Sequence, residues 1–158
     1  MPGIAGPLDV HIDAKELHQL YLDLKGVEGN LRVELRHAIA DSGQPLAALV
    51  RNAAGWSSRI PGAVKVSASF STRSAGVAIK VDAKAAPEAA PLENKGQSGD
   101  FRHPVYADAS NPRSDWTWVP QPAHPFFYKT LNGSSAVGIA EKAIIAAMAR
   151  VEAKAGFR

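Results

Sequence analysis

The sequence predicts an α+β fold in which a small, mainly antiparallel sheet packs against a long N-terminal helix and a C-terminal helix, with long loops between them. Three observations lead there. Large apolar residues recur at helical spacing from Leu17 to Ile39. They alternate at period two on both sides of a short turn between Val64 and Val81. Helical spacing then returns from Ser134 to Ala155. A chain of 158 residues has room for one ordinary domain, burying about two-thirds of its unfolded surface. Residues 1–12 read as a flexible N-terminal arm or an edge extension, and residues 13–158 as the domain.

Asp13, followed by Glu16, reads as an N-cap with its capping-box partner. Leu17, Leu20, Tyr21, Leu24, Val27, Leu31, Leu35, Ala38 and Ile39 then form one apolar stripe, opposed by Lys15, Gln19, Asp23, Lys25, Glu28, Arg32 and Arg36. The pattern predicts an amphipathic helix of roughly 28 residues, about 42 Å long. Gly26 and Gly29 weaken its middle by about 1 kcal/mol each and predict a bend. Ser42, Gly43 and Pro45 end it, and Pro45 opens a shorter helix through Leu46, Leu49, Val50 and Ala53 to Gly55.

After Pro61 the period changes. Val64, Val66, Ala68 and Phe70 alternate with Lys65, Ser67 and Ser69, while Val77, Ile79 and Val81 alternate with Ala78 and Lys80. The intervening STRSAG supplies the turn of a β-hairpin. A lone hairpin is not stable in water, so helices must cover its apolar side. Val105–Ala107 and Trp116–Val119 are candidates for further strands. Residues 85–100 read as a polar, proline-interrupted loop with Leu92 as its single anchor, long enough to be functional or partly mobile. In the last helix Val137, Ala140, Ile144, Ala147, Met148 and Val151 make a stripe broadened by Ile139 and Ala143, with Gly156 as C-cap.

Composition removes several kinds of chemistry. The absence of cysteine leaves no disulfide framework, no thiolate nucleophile and no cysteine zinc site. A net charge of +3 without a basic run serves solubility as readily as nucleic-acid contact. The opening MPGIAGPLDV does not read as a signal peptide, and no apolar run has the length of a membrane span. His11, His18, His37, His103 and His124 make no metal-ligand pattern and read as structural or surface residues. There is no GxSxG elbow, GxGxxG or Walker sequence, and Ser74-Ala75-Gly76 is simply part of a turn. Glu93 and Asp100 form a nominal carboxylate pair, for which a solvated loop is the preferred reading. Asn132-Gly133-Ser134 matches the glycosylation acceptor pattern by chance or as a helix start. No catalytic residue, metal ligand or cofactor is assigned, and no enzymatic activity is expected.

The stretch Phe101–Tyr128 concentrates the unusual residues: two of three tryptophans, three of five phenylalanines and five of eleven prolines. The prolines exclude one long helix, and the aromatics argue against disorder. Trp116, Trp118, Phe126, Phe127 and Tyr128, with Arg102, Arg113 and Lys129 nearby, offer stacking for bases. No basic–aromatic alternation supports that use, so packing in the core or between subunits is preferred. Lys65, Lys80 and Lys84 form a modest basic strip, read as a solvated face.

In the order PGAVKVS, AAPLENKG, FRHPVY and WVPQPAHPFF, between flanking helices, the chain resembles the siphophage tail-component family of small head–tail connection proteins, described as tail-completion or neck proteins. The matching residues are Ala90, Pro91, Leu92, Glu93 and Gly96; Phe101, His103, Pro104 and Val105; Trp118, Val119 and Gln121; and Pro125, Phe126 and Phe127. The resemblance covers about residues 15–155. It implies a structural virion protein at the tail top, made in the host cytoplasm, without cofactor or membrane partner. It further implies a homo-oligomeric, hexameric ring that meets head-completion stopper or adaptor proteins on one side. A tail terminator or tail tube protein meets the other side, and genomic DNA passes through the lumen. A tail terminator capping the tube is the alternative reading, and a small nucleic-acid-binding module a third. On this resemblance Phe101, His103, Pro104, Tyr106, Trp116, Trp118, Phe126 and Phe127 pack the core or the subunit seam. Glu93, Lys95, Asp100 and Arg113 fall on loops at the rim or lumen.

Overall fold

A computed structural model describes residues 8–13, 15–26, 30–106 and 116–156. Strands β1 (Asp9–Asp13), β2 (Val64–Ser71) and β3 (Ser74–Val81) form an antiparallel sheet in the order β1-β3-β2. The predicted hairpin is present, with Val64 opposite Val81 and Ser71 opposite Ser74 across the Thr72-Arg73 turn. Its alternation does what period two requires. Val64, Phe70, Val77, Ile79 and Val81 are buried on one face, while Lys65 and Lys80 face each other on the exposed one. The stretch expected as an arm or edge extension supplies β1, which pairs along β3 from Asp9–Lys80 to Asp13–Gly76. Asp13, expected as the N-cap paired with Glu16, is therefore the last residue of a strand; α1 begins at Lys15, and Ala14 between them lies outside the described residues.

The long N-terminal helix is two helices rather than one bent rod. Helix α1 (Lys15–Asp23) tightens into a 3-10 turn at Leu24–Gly26, and α2 (Leu31–Ser42) starts after Asn30. Gly26 closes the 3-10 turn, where glycine's backbone entropy disfavours a continuing helix; Val27 and Gly29 lie outside the described residues. Both halves keep the predicted stripe, with Leu17, Leu20, Leu24, Leu35 and Ile39 buried against the sheet side. The α1 polar edge is also held. Tyr21 stacks on Phe70 at 4.9 Å, and the Arg32 guanidinium lies 4.4 Å from the Tyr21 ring.

Helix α3 (Gln44–Ala53) follows at once, with Pro45 in its first turn and Leu46, Ala47 and Val50 buried. The junction residue Gly43 passes so close to the sheet that an added Cβ would lie 2.6 Å from Cγ1 of both Val66 and Val77. A short helix α4 (Ile60–Ala63), started by Ser57 Oγ accepting the N–H groups of Arg59 and Ile60, leads into β2.

The last helix, α7 (Ser134–Ala155), has the predicted length and ends at Gly156 in the left-handed region. It packs chiefly on α2 and α3 rather than on the strands, adding a third layer. Its buried line is Ala136, Ala140, Ile144, Ala147 and Val151. Val137 and Ile139, expected in that stripe, are exposed, because small residues one position away fit the close approach to α2.

Candidate functional site

Between the sheet and α7 the chain makes an excursion. Helix α5 (Ala89–Glu93) leads through a 3-10 turn at Asn94–Gly96 to β4 (Asp100–Tyr106); β5 (Trp116–Pro122) returns, and α6 (Tyr128–Leu131) rejoins the body. Strands β4 and β5 pair only with each other, as a separate antiparallel ribbon in register from Asp100–Pro122 to Tyr106–Trp116. The strand expected over Trp116–Val119 is present and extends to Pro122, whereas the one expected over Val105–Ala107 runs instead from Asp100 to Tyr106, Ala107 lying outside the described residues. They do not extend the main sheet.

The foot of the ribbon is closed by Glu93. Its Oε2 accepts the main-chain N–H of Phe126 at 2.6 Å and of Phe127 at 2.8 Å, and its Oε1 accepts that of Tyr128 at 2.9 Å. Two main-chain bonds stand beside it, His124 N–H to Leu92 O at 2.8 Å and Ala123 N–H to Gly99 O at 2.7 Å. The cause is local. The first N–H groups of a helix need outside acceptors, yet Pro125, Phe126 and Phe127, which enter α6, have no side-chain acceptor to offer. A carboxylate from a distant segment fills that need and gains from the positive helix end.

Glu93 is thus fully buried, against its placement on a rim or lumen loop and against the solvated-loop reading. Three charge-assisted bonds offset the desolvation that keeps unpaired carboxylates out of interiors. The loop expected over residues 85–100 is largely packed. Leu92 has company, since Ala86, Ala89 and Glu93 are buried with it. Asn94, Lys95 and Gly96 then take φ values of 46°, 57° and 80°, reversing the chain directly after the carboxylate. Lys95 is exposed there, and Asp100 is exposed at the start of β4. Arg113 lies outside the described residues, as does the expected 108–115 turn.

The aromatic residues divide into two sets. Phe126 and Phe127 are completely buried and carry the core beneath the ribbon, with Trp56 edge-on to Phe126 at 6.1 Å. By contrast, none of the β4 and β5 side chains described is buried. Phe101, half-buried, packs on the core at the ribbon's foot, with His103 beside it at 6.1 Å. Trp118 and its cross-strand partner Pro104 are only half-buried. Trp118, expected to pack the core or the subunit seam, is not among the buried core residues. Tyr106 and Trp116 face each other in register, and their side chains lie outside the described residues.

Convergent chemistry is not assembled among the described residues. The histidines are dispersed: His18 Nδ1 is 2.7 Å from Phe70 O, His37 is exposed on α2, and His124 lies 4.9 Å from the Trp56 ring. No group of three or more His, Asp or Glu among the described residues is placed to hold a metal. An open groove of about 420 Å³ between α2 and α7 is lined by Glu34, His37, Asp41, Arg150 and Lys154, where Lys154 already pairs with Glu34 at 2.7 Å. The basic strip is partly neutralised, since Lys65 Nζ donates to Asp82. That hydrogen bond, with one from the Lys84 N–H, holds the Asp82 carboxyl below its ordinary value. Among the described residues no helix is long and apolar enough to cross a membrane.

Sequence reasoning found the ribbon strands and the buried Phe-Phe pair but missed the clasp. The available signal was a helix start without its own cap, opposite a carboxylate in an otherwise small and apolar turn. Comparison with protein-family models, with curated proteins and with solved structures finds no match to this chain.

Proposed function

We propose that this chain is a structural subunit of the head–tail connection of a long-tailed phage, acting as a ring-forming tail-completion protein without enzymatic activity. The observation that carries the reading is the β4–β5 ribbon, a strand pair separate from the main sheet whose described side chains include exposed Val105 and Val119 and none that is buried. Its foot is fixed by Glu93 and by the Phe126–Phe127 pair, and these lie in the ordered segments that resemble the tail-component family. A projection held at a firm foot suits templated assembly, in which apolar area is buried between adjacent subunits. Head-completion proteins, a tail terminator or tube protein, and DNA in the lumen are the partners this reading supplies. A sixfold ring is its expected symmetry.

The test is disruption of the gene in a phage that encodes this chain. Filled heads and finished tails that fail to join are expected, while normal infectious particles overturn the reading. The alternative, a tail terminator, predicts tails of uncontrolled length instead. A nucleic-acid-binding module predicts binding to DNA that weakens steeply with salt.

A further inference from the structure

We propose that the flank where α1, α2 and the tip of the β2–β3 hairpin meet is a contact for the phosphate backbone of double-stranded DNA, carried by Arg32, Arg36 and Arg73 with Lys25 and His18 beside them. The contact uses other residues than the ribbon and stands whether or not the assembly reading does.

Its base is a stack of rings. Tyr21 of α1 lies on Phe70 of β2 at 4.9 Å, with the ring planes 25° apart. The Arg32 guanidinium is held over Tyr21, and that of Arg36, one turn further along α2, lies 5.3 Å from the Phe70 ring. Arg32 is fixed again by its Nε, which donates to Tyr21 O at 3.1 Å. His18 joins the same layer, its Nδ1 2.7 Å from Phe70 O. Packing accounts for the rings and for the placing of the guanidiniums, but it leaves donors over. Among the described residues no acceptor takes the Nη groups of Arg32 or any side-chain N–H of Arg36, and no carboxylate pairs with either.

Acids and bases are sorted to different flanks of the two helices. On α2 the acids Glu34 and Asp41 line the groove against α7, where Lys154 pairs with Glu34. On α1 Asp23 stands two positions from Tyr21, about 200° round the helix, and accepts a hydrogen bond from Gln19 at 2.7 Å. The flank with the rings keeps the cations. Lys25 is exposed in the 3-10 turn after α1, and Arg73 is exposed at the hairpin tip, three residues from Phe70. Glu28 lies outside the described residues, and the group stays net positive with it counted.

The form of the site selects the partner. Fixed charges drawn from two helices and a hairpin suit an extended polyanion better than a single small anion. Duplex DNA carries one charge per about 1.7 Å of its axis, and Arg32 and Arg36 are about 6 Å apart along α2, so both reach one run of phosphates. A guanidinium fork matches phosphate oxygens bidentately, and forks already held on rings lose little freedom on binding. Base stacking is excluded here, because Phe70 is buried and Tyr21 is occupied by Phe70 and Arg32. Without a free ring for unpaired bases the contact is to backbone, independent of sequence.

The test titrates the full chain with a short, labelled duplex of random sequence, read by fluorescence anisotropy at several salt concentrations. Circular dichroism confirms that each variant is folded. Wild type is expected to bind at low salt, with a log–log salt slope of about −3. R32Q/R36Q is expected to flatten that slope by about two and R73Q by about one. K84Q/K142Q removes as much charge from exposed positions elsewhere and is expected to leave the slope unchanged. No binding by wild type overturns the contact. A loss in K84Q/K142Q equal to that in R32Q/R36Q assigns the attraction to net charge and overturns the site. Should R32Q/R36Q fail to fold, R73Q carries the test, and an unchanged slope there overturns the proposal. Tighter binding of a single strand than of the duplex, or displacement of the duplex by polyglutamate at matched charge, overturns double-stranded DNA as the partner. Infectious particles from the disrupted gene would remove the assembly reading and leave this contact standing.

Discussion

Glu93 Oε2 accepts the main-chain N–H of Phe127 at 2.8 Å, across 34 positions of sequence. The same carboxylate serves Phe126 and Tyr128, so three orphan donors and one buried charge satisfy one another. Glu93→Gln keeps the shape but turns an amide nitrogen toward an N–H donor. It is expected to destabilise the fold by about 2–4 kcal/mol, with faster amide exchange at residues 126–128. Urea denaturation and hydrogen exchange measure both, and a variant with wild-type stability rejects the clasp.

Phe127 and Trp118 belong to one aromatic stretch and are expected to behave differently. Phe127 is fully buried and Trp118 half-exposed on the ribbon. Phe127→Ala is expected to cost about 3–5 kcal/mol, against about 1 kcal/mol for Trp118→Ala. Equal losses in chemical denaturation would place Trp118 in the core after all.

Gly43 stands where α2 hands over to α3 above the sheet. Gly43→Ala drives its Cβ into Val66 and Val77 and is expected to cost about 1–3 kcal/mol. Adding Val77→Ala opens space on one side, so the double variant should lose less than the two single losses summed. Strict additivity in thermal or urea melts would show that the contact relaxes elsewhere.

Asp82 gives the acid limb of stability a defined sign. Its hydrogen bond from Lys65, then that from the Lys84 N–H, depress its folded value below the ordinary 3.8. The contribution is therefore whole above pH 3.8 and is lost as pH falls through the lower folded value. Asp82→Asn should lie below wild type at neutral pH and converge with it in acid. An offset constant at every pH contradicts this.

The elements that were legible in the sequence are those whose burial repeats locally. The β2–β3 hairpin could be read because Val64 to Val81 alternate on one covered face, and α7 because its length and its Gly156 cap lie within one segment. The break after α1 was foreshadowed by Gly26 and Gly29, but periodicity continued across it and concealed that two helices were present. Position within α7 was misread for Val137 and Ile139 because hydrophobicity does not reveal that the covered line is mostly alanine. Glu93 was unreadable for another reason: its partners are main-chain groups, and main-chain need leaves almost no trace in side-chain pattern. The ribbon strands could be seen in part, yet nothing in their residues announces that none of their described side chains is fully buried.

A cysteine-free chain that must pin both ends of a long excursion has found a cross-link that needs no oxidant. A disulfide spanning a comparable loop would also restrain the unfolded chain, by about 3–4 kcal/mol on the entropic model. The carboxylate holds only when the helix start is formed to receive it, so it releases on unfolding and re-forms on refolding. Its hold is the same in reducing and oxidising surroundings. The foot of the ribbon can therefore be set inside a cell and stay set outside one.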